Sequence, residues 1–539
     1  MSTVTDVARC DVTVTIATRN RASALRTTLA SLERLDTAGL SWQVIVADNG
    51  SSDDTAAVLA SADQRLPLTT VFEPAPGKNR ALNAARELAT GDLLVFADDD
   101  IVVDPAWLRN LSAAAARWPD INIFGGLIVP EFPADTPDWL KEPGFPHARW
   151  TWGTYAPRQD EGPTRETPLG PNLAFRRAVL DGVQWDESIG PQGTSFAMGS
   201  EVELLMRLAR RGELFVFVPD ARVKHVLRSK QVSESYLEGR AFRCGRGNAR
   251  LFSRHAPRYP ILGVPLNVWI RLGASVTEWL AHVFSSPPRR KLIALEVRQT
   301  LGHMYECSEM RRKGELYGVP RLFPTRANMS RAFVKGLAQA RARTARTLST
   351  IRGVHFFYQD LRPGRHADPD PAPDVRVYEG AEDLTEVLRL LAPLEHVVWH
   401  TVEARLRQGD RVAIARSEQG AVGYAWATSL PVPVEEADML FTPQPGEVVG
   451  YDLYVVDGAR GREIAFQLDA AQMRAAKQHA FHSQWTWVDS GNSSSLRALK
   501  KMGKTMVGSL KWRRMPVSNR SRQEPSDPEL ARRLTAPAD

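Results

Sequence analysis

Apolar and polar positions along the first hundred residues follow two rhythms that alternate at regular intervals. Residues 11–19 read as a strand, and residues 22–35 carry apolar side chains at helical spacing. Residues 42–49 form a second strand ending in Asp48, Asn49 and Gly50, and a helix starts at residues 53–59. Residues 68–73 are a third strand, followed by Gly77-Lys78-Asn79-Arg80 and a helix over 81–88. A fourth strand then runs into Asp98. This strand–helix alternation predicts an α/β fold with a mostly parallel sheet. In open sheets of that kind ligands sit beyond the carboxyl ends of the strands. Thr18, Asp48, Lys78 and Asp98 all fall at such ends, which marks one site.

The fourth strand stops in three carboxylates, Asp98, Asp99 and Asp100. Adjacent carboxylates repel, and burying them is unfavourable unless a cation or substrate neutralises them. On an extended segment Asp98 and Asp100 share a side while Asp99 points away. Two hard oxygen ligands on one side suit Mg²⁺ or Mn²⁺, which would hold a diphosphate. The other reading is a solvated acidic turn.

The blocks Thr-Ile-Ala-Thr-Arg-Asn-Arg, Val-Ile-Val-Ala-Asp-Asn-Gly-Ser-Ser-Asp-Asp-Thr, Gly-Lys-Asn-Arg-Ala-Leu-Asn-Ala-Ala and Phe-Ala-Asp-Asp-Asp resemble, in order and spacing, those of family 2 glycosyltransferases with the GT-A fold. The resemblance extends through residues 170–177 and 185–187 to about His225. It implies a nucleoside-diphosphate-sugar donor, with Asp48 on the base and Lys78 or Arg80 near the nucleotide. It implies that Asp98 contacts ribose and metal and that Asp100 binds metal. His225 closes a strand over residues 214–223 and reads either as a third metal ligand or as a structural histidine.

In the segment Gly199-Ser200-Glu201-Val202-Glu203-Leu204-Leu205-Met206-Arg207, Ser200 stands where the family usually has Glu. Glu201 stands where it has the base Asp. Glu201 can accept the acceptor's proton; Glu203 is a rival, and both could simply start a helix. The resemblance implies inversion at the sugar carbon. A non-catalytic binding or scaffold protein with degenerate sites is the competing class. The acceptor (saccharide, lipid-linked or small molecule) would be met by residues 130–171, where Trp139, Trp150, Trp152 and Tyr155 read either as stacking platforms or as core.

A chain of 539 residues exceeds one hydrophobic core. Three scattered cysteines, Cys10, Cys244 and Cys307, give no disulfide framework, and residues 1–9 lack the apolar core of a secretory signal. Both point to the cytoplasm. The net charge of +7 is uneven: residues 316–359 contain no Asp or Glu. Residues 328–351 read as a basic amphipathic helix, suited to an anionic membrane on its inner face or to a solvated domain junction. No nucleic-acid module accompanies the charge, so no nucleic acid is expected. Residues 260–285 are apolar but broken by Arg271 and Glu278, which predicts an interfacial or buried helix rather than a span.

After residues 361–375, which read as a linker, a second pattern begins. It has a helix at 381–394, strands at 411–417, 421–429 and 447–456, a helix at 466–482, a strand at 485–488, a helix closing near 502 and a strand at 505–511. The turn Arg460-Gly461-Arg462-Glu463-Ile464-Ala465 and the block opening at Asn492 resemble the α+β GNAT acyltransferases. The resemblance implies that Arg460, Gly461, Arg462, Ala465 and Asn492 hold acetyl-CoA or another acyl-CoA. Glu463 replaces the usual Gly, Leu499 the usual Tyr and Lys504 the usual aromatic, so an active N-acyltransferase and a degenerate module both stand. The expected organisation is a GT-A domain at 1–235, a helical and interfacial extension at 236–360, the linker, a GNAT-like domain at 376–516 and a disordered tail at 517–539.

Overall fold

A computed structural model describes residues 10–142, 145, 147–193, 196–252, 260–261, 264–281, 287–313, 315, 351–362, 374–394, 397, 399–417, 420–434, 439–459, 463–489, 492–502, 504–513, 522–525, 530 and 533–535. The chain forms two compact units, Met1–Ala327 and Asn328–Asp539.

The first unit opens with β1 (Val12–Thr18), α1 (Ala22–Leu32), β2 (Trp42–Asp48), α2 (Thr55–Asp63), β3 (Leu68–Phe72), α3 (Lys78–Glu87) and β4 (Leu93–Ala97). These strands lie parallel in the order β3-β2-β1-β4, with a helix between each strand and the next along the chain. β1 and β4 are buried at every residue, as parallel strands covered on both faces must be. Then come β5 (Ile101–Val103), α4 (Trp107–Arg117), β6 (Ile123–Glu131), α5 (Asp138–Lys141), α6 (Ala148–Trp152), β7 (Gly162–Thr164), β8 (Leu173–Arg176), α7 (Ser200–Arg210) and β9 (Phe215–Val226). The sheet continues β4-β8-β6-β9-β5, with β7 also on β9. β8 runs antiparallel to β4 and β6, and β5 and β7 antiparallel to β9. The sheet is therefore mixed, which corrects the expectation of a mostly parallel one. Within this half β6 and β9 are parallel neighbours, and β8, β5 and β7 run against their partners.

α8 (Glu234–Phe252) follows, then the two-residue strands β10 (Pro260–Ile261) and β11 (Val264–Pro265), α9 (Leu266–Ala281) and α10 (Pro287–Arg312). α8 and α10 meet backbone to backbone. A Cβ on Gly245 would fall 1.8 Å from the Gln299 carbonyl oxygen, and one on Gly302 would fall 2.0 Å from that of Phe242. α9 buries Val268 and Ser275 and packs Val268 and Trp269 in a core cluster with Ala249 and Cys307, while Ile270, Val276 and Trp279 are exposed. Among the described residues no helix is long and apolar enough to cross a membrane. The expected basic helix at 328–351 lies outside the described residues except for Ile351, which opens a strand.

The second unit contains β12 (Ile351–Asp360), β13 (Val375–Glu379), α11 (Leu384–Leu391), α12 (Trp399–Arg407), β14 (Arg411–Ser417), β15 (Gly420–Thr428), β16 (Val432–Val434), β17 (Met439–Phe441), β18 (Glu447–Val455), α13 (Ile464–Gln478), β19 (Ser483–Asp489), α14 (Ser493–Lys501), β20 (Thr505–Arg513), β21 (Arg522–Pro525) and β22 (Leu534–Thr535). The main sheet runs β13-β14-β15-β18-β19-β12-β20-β21. Two expectations are corrected here. Residues 351–360 fall within the expected helical extension, yet β12 is a strand that pairs with β19 and β20 and buries Phe356 and Phe357. The tail was expected to be disordered, yet β21 pairs with β20 and β22 with β17. Leu530 and Leu534 are buried in the same core, and Arg533 pairs with buried Glu447. β18 and β19 are parallel neighbours from Glu447 to Val449 only. Beyond Val449 β18 pairs with β15 and β19 with β12, so the two strands part. Asp452, in the separated stretch, has φ 47°.

Candidate active site

The ends of β1 and β4 and the start of α7 surround a cavity of about 620 Å³, walled also by His225 and by Gln231, Tyr236 and Arg240. Gly170 lies beside three of the cavity's lining residues. A Cβ there would lie 3.8 Å from Glu201 Cδ and 3.9 Å from both Asp98 Oδ1 and Lys78 Nζ. Three charged groups far apart in sequence therefore converge on one point.

After β4 the chain turns rather than extending, so the two-residue alternation expected across Asp98–Asp100 fails. Asp98 pairs with Lys78. Asp99 does not point away alone: it accepts from the Thr18 hydroxyl at 2.7 Å and pairs with Arg21, whose other arm reaches Asp100 at 2.5 Å. One guanidinium thus spans two buried carboxylates and offsets their repulsion. Burial raises Asp99 above the usual carboxylate range, although Arg21 pulls the other way. Burial acts on Asp100 too, but His225 and Arg21 outweigh it and hold Asp100 well below that range. Burial disfavours the charged form of Lys78, yet Asp98 and Glu201 together raise its pKa.

His225 Nδ1 contacts the Trp152 carbonyl oxygen at 2.5 Å, and Nε2 lies 3.4 Å from Asp100 Oδ1, a buried atom with no hydrogen-bond partner. Burial opposes protonation of His225, but Asp100 more than offsets it and its pKa is raised. A carbonyl on Nδ1 directs Nε2 toward the cavity, which is how metal-binding histidines are oriented. Two donor atoms at this separation fit adjacent positions on a divalent cation, so Asp100 and His225 suit a metal. Asp98 is turned to Lys78, and among the described residues no three His, Cys, Asp or Glu side chains cluster as a metal cage.

Glu201 and Glu203 both stand in the first turn of α7 but differ in surroundings. Glu201 lines the cavity. Glu203 accepts from Arg207 Nε at 2.9 and 3.0 Å and does not line it. Lys78 lines the cavity, whereas Arg80 pairs with Glu187 at 2.9 Å outside it. Asp48 caps the β2 turn by accepting from Ser51 N at 2.9 Å, and its neighbour Asn49 reaches the cavity wall. Thr18 lines the cavity but spends its hydroxyl on Asp99. Of the aromatic residues of the acceptor segment, Trp152 and Tyr155 are core; Trp139 and Trp150 are partly buried. Arg21, Tyr236 and Arg240 were given no role from the sequence. Arg21 sits inside the first quoted block, while Tyr236 and Arg240 lie beyond the last.

In the second unit Arg460, Gly461 and Arg462 lie outside the described residues. Ala465 is in the first turn of α13, and Asn492 caps α14 by accepting from Ser495 N at 3.2 Å. Glu463, at the N-cap of α13, has φ 62° and pairs with Lys501 at 3.1 Å. That left-handed backbone is one a glycine would adopt freely.

Residues 13–183 match the family described as Glycosyl transferase family 2, so the first unit carries a domain of that family. A glucosyl-dolichyl phosphate glucuronosyltransferase of Haloferax volcanii is 28% identical over 175 residues, which are 31% of this chain and 54% of that protein. An N-acetylglucosaminyl-diphospho-decaprenol L-rhamnosyltransferase of Mycobacterium tuberculosis is 31% identical over 208 residues, 34% of this chain and 66% of that protein. The matches thus span from about half to two thirds of these relatives. The solved structure of a mannosyltransferase from Pyrobaculum calidifontis with GDP-Man and Mn²⁺ aligns with 64% of this chain and 84% of its own, at 17% identity and a TM-score of 0.34.

Proposed function

We propose that the first unit is an inverting glycosyltransferase that moves a sugar from a nucleoside diphosphate to a hydroxyl or amine acceptor. The observation that carries this reading is the convergence of Glu201, Asp98 and Lys78 around Gly170 in a cavity that also holds Asp100 and His225. Asp48 receives the nucleotide base, as the family resemblance implies, and Asp98 the ribose. Glu201 takes the acceptor's proton, the freed oxygen or nitrogen bonds to the anomeric carbon, and the bond from that carbon to the diphosphate breaks with its electron pair leaving on oxygen. Lys78 lies where it can meet that negative charge. Asp100 and His225, with Asp98 beside them, would hold Mg²⁺ or Mn²⁺, which when bound neutralises the leaving diphosphate. Donor hydrolysis by the full chain, in wild type and Glu201→Gln, tests this; equal rates would remove Glu201 from the role of base.

The second unit is proposed to bind acyl-coenzyme A where β18 and β19 part after Val449, the feature that favours a GNAT-like reading. The scaffold alternative for this unit rests on Glu463, a carboxylate where an anion would bind. Titration with coenzyme A separates the two. Exposed Ile270, Val276 and Trp279 on α9 support peripheral contact with an anionic membrane. Failure to sediment with anionic liposomes at low salt would end that proposal.

A further inference from the structure

The cations around the cavity do not all have carboxylate partners. Arg21 is matched by Asp99 and Asp100, and Lys78 by Asp98. Among the described residues Arg240, on α8, has one polar partner, the Trp150 carbonyl oxygen at 2.7 Å from Nε. Its other guanidinium nitrogens have none among those residues, although the side chain is partly buried and lines the cavity. One turn further along α8, Arg243 is also without a carboxylate among the described residues. Its guanidinium lies over the rings of Phe196 and Tyr236 (5.3 and 5.9 Å), two residues of the cavity wall. Burial, reinforced by Arg240, lowers the Arg243 pKa. Two like charges three residues apart on one helix face repel each other, and both are partly desolvated. Such a pair is relieved by an anion, and the planar fork of Arg240 suits a phosphate. In the proposed reading the donor's diphosphate is met by Lys78 and by the cation that Asp100 and His225 would hold, and neither Lys78 nor the Asp100–His225 pair contacts Arg240. Arg240 is tied instead to Trp150, in the segment expected to meet the acceptor.

We propose that the acceptor carries a phosphomonoester that docks on Arg240 beside Tyr236, as an anchor distinct from the hydroxyl or amine that attacks. This rests on the glycosyltransferase reading of the same cavity. The phosphate belongs either to a soluble sugar phosphate or to a lipid headgroup.

The test uses the full chain. Glucose 6-phosphate and glucose are titrated calorimetrically, alone and with Mn²⁺ plus saturating UDP or GDP, into wild type, Arg240→Gln and Arg240→Lys. In parallel, phosphatidylcholine vesicles with and without phosphatidic acid are sedimented with each protein. The expected result is phosphate-dependent binding that persists with nucleotide present and falls about tenfold or more in Arg240→Gln. Arg240→Lys should be intermediate, nucleotide affinity unchanged and melting temperature the same across the three proteins. Loss confined to glucose 6-phosphate assigns a soluble acceptor, and loss confined to phosphatidic-acid vesicles assigns a lipid one. No phosphate preference, competition between phosphate and nucleotide, or equal weakening of nucleotide in Arg240→Gln would overturn the proposal. If neither nucleotide binds the wild type while phosphate still reads Arg240, the glycosyltransferase reading fails and the anion site stands.

Discussion

Glu203 is gripped by Arg207 one turn along α7, its two carboxylate oxygens 2.9 and 3.0 Å from the guanidinium Nε, whereas Glu201 opens on the cavity. Two carboxylates two residues apart on one helix point to different sides, and of the two Glu201 lines the cavity. Glu201→Gln is expected to lower kcat for sugar transfer or donor hydrolysis by about 10²–10⁴-fold with donor affinity retained. Glu203→Gln is expected to leave kcat within severalfold. Steady-state rates with equilibrium donor binding on both variants check this.

α8 steadies the loop that leads into α7. A Cβ on Gly247 would fall 1.9 Å from the Met198 carbonyl oxygen, and Met198 N donates to the Arg243 carbonyl at 3.2 Å. Met198 immediately precedes Gly199, the N-cap of α7 at φ 115°. Gly247→Ala must shift that loop, so a loss of roughly 1–3 kcal/mol in stability is expected, with a fall in kcat of about tenfold or more from displaced Glu201. Gly273→Ala on α9 meets nothing within 4 Å and is the control, expected to be neutral or stabilising. Thermal melts and kcat measured side by side distinguish the two.

Acid sensitivity has an identifiable source in α10. Burial, helped by Arg271, lowers the His303 pKa to about 4, from 6.5 in the unfolded chain. The folded state holds His303 neutral while the unfolded state takes up a proton below pH 6.5. Stability should therefore fall as pH drops from about 6.5 toward 4 and level off below that, by up to about 3 kcal/mol from this residue. Denaturation midpoints of wild type and His303→Gln from pH 7.5 to 4.5 should converge as pH falls; parallel curves would assign the pH dependence elsewhere.

Glu463 offers a test of the second unit. Glu463→Gly relieves a left-handed non-glycine backbone and removes a carboxylate from the start of α13. The variant is expected to gain about 0.5–1 kcal/mol in stability. If coenzyme A enters between β18 and β19, its affinity should also rise, since an anion at a helix N-terminus no longer meets a negative charge. Calorimetry with coenzyme A showing no heat in either protein would leave that unit without an acyl donor.

How much of this was legible in the sequence depends on how local the signal is. β1–β4 and their helices follow from periodicity because each element and its crossover are contiguous. Asp98–Asp100 misled because the pattern carries no sign that the chain turns there, and Arg21, folded back from the end of β1, with Thr18 on Asp99 and His225 on Asp100, explains how Asp99 and Asp100 coexist. β12 could not be placed because its partners, β19 and β20, lie more than a hundred residues downstream. The tail is poor in large apolar residues, yet Leu530 and Leu534 suffice to anchor it once Arg533 pairs with Glu447. Glu201 and Lys78 line the cavity while Glu203 pairs with Arg207 and Arg80 with Glu187 away from it, and sequence spacing does not encode which side chain faces the cavity.

The most direct test of the central claim is calorimetric binding of UDP-, GDP- and dTDP-sugars to the full chain, with and without Mn²⁺, in wild type and Asp100→Ala. The account predicts that one nucleotide class binds, that Mn²⁺ tightens it by about tenfold or more, and that Asp100→Ala abolishes the gain. Absence of binding under every condition, or an Mn²⁺ effect unchanged in Asp100→Ala, would contradict it.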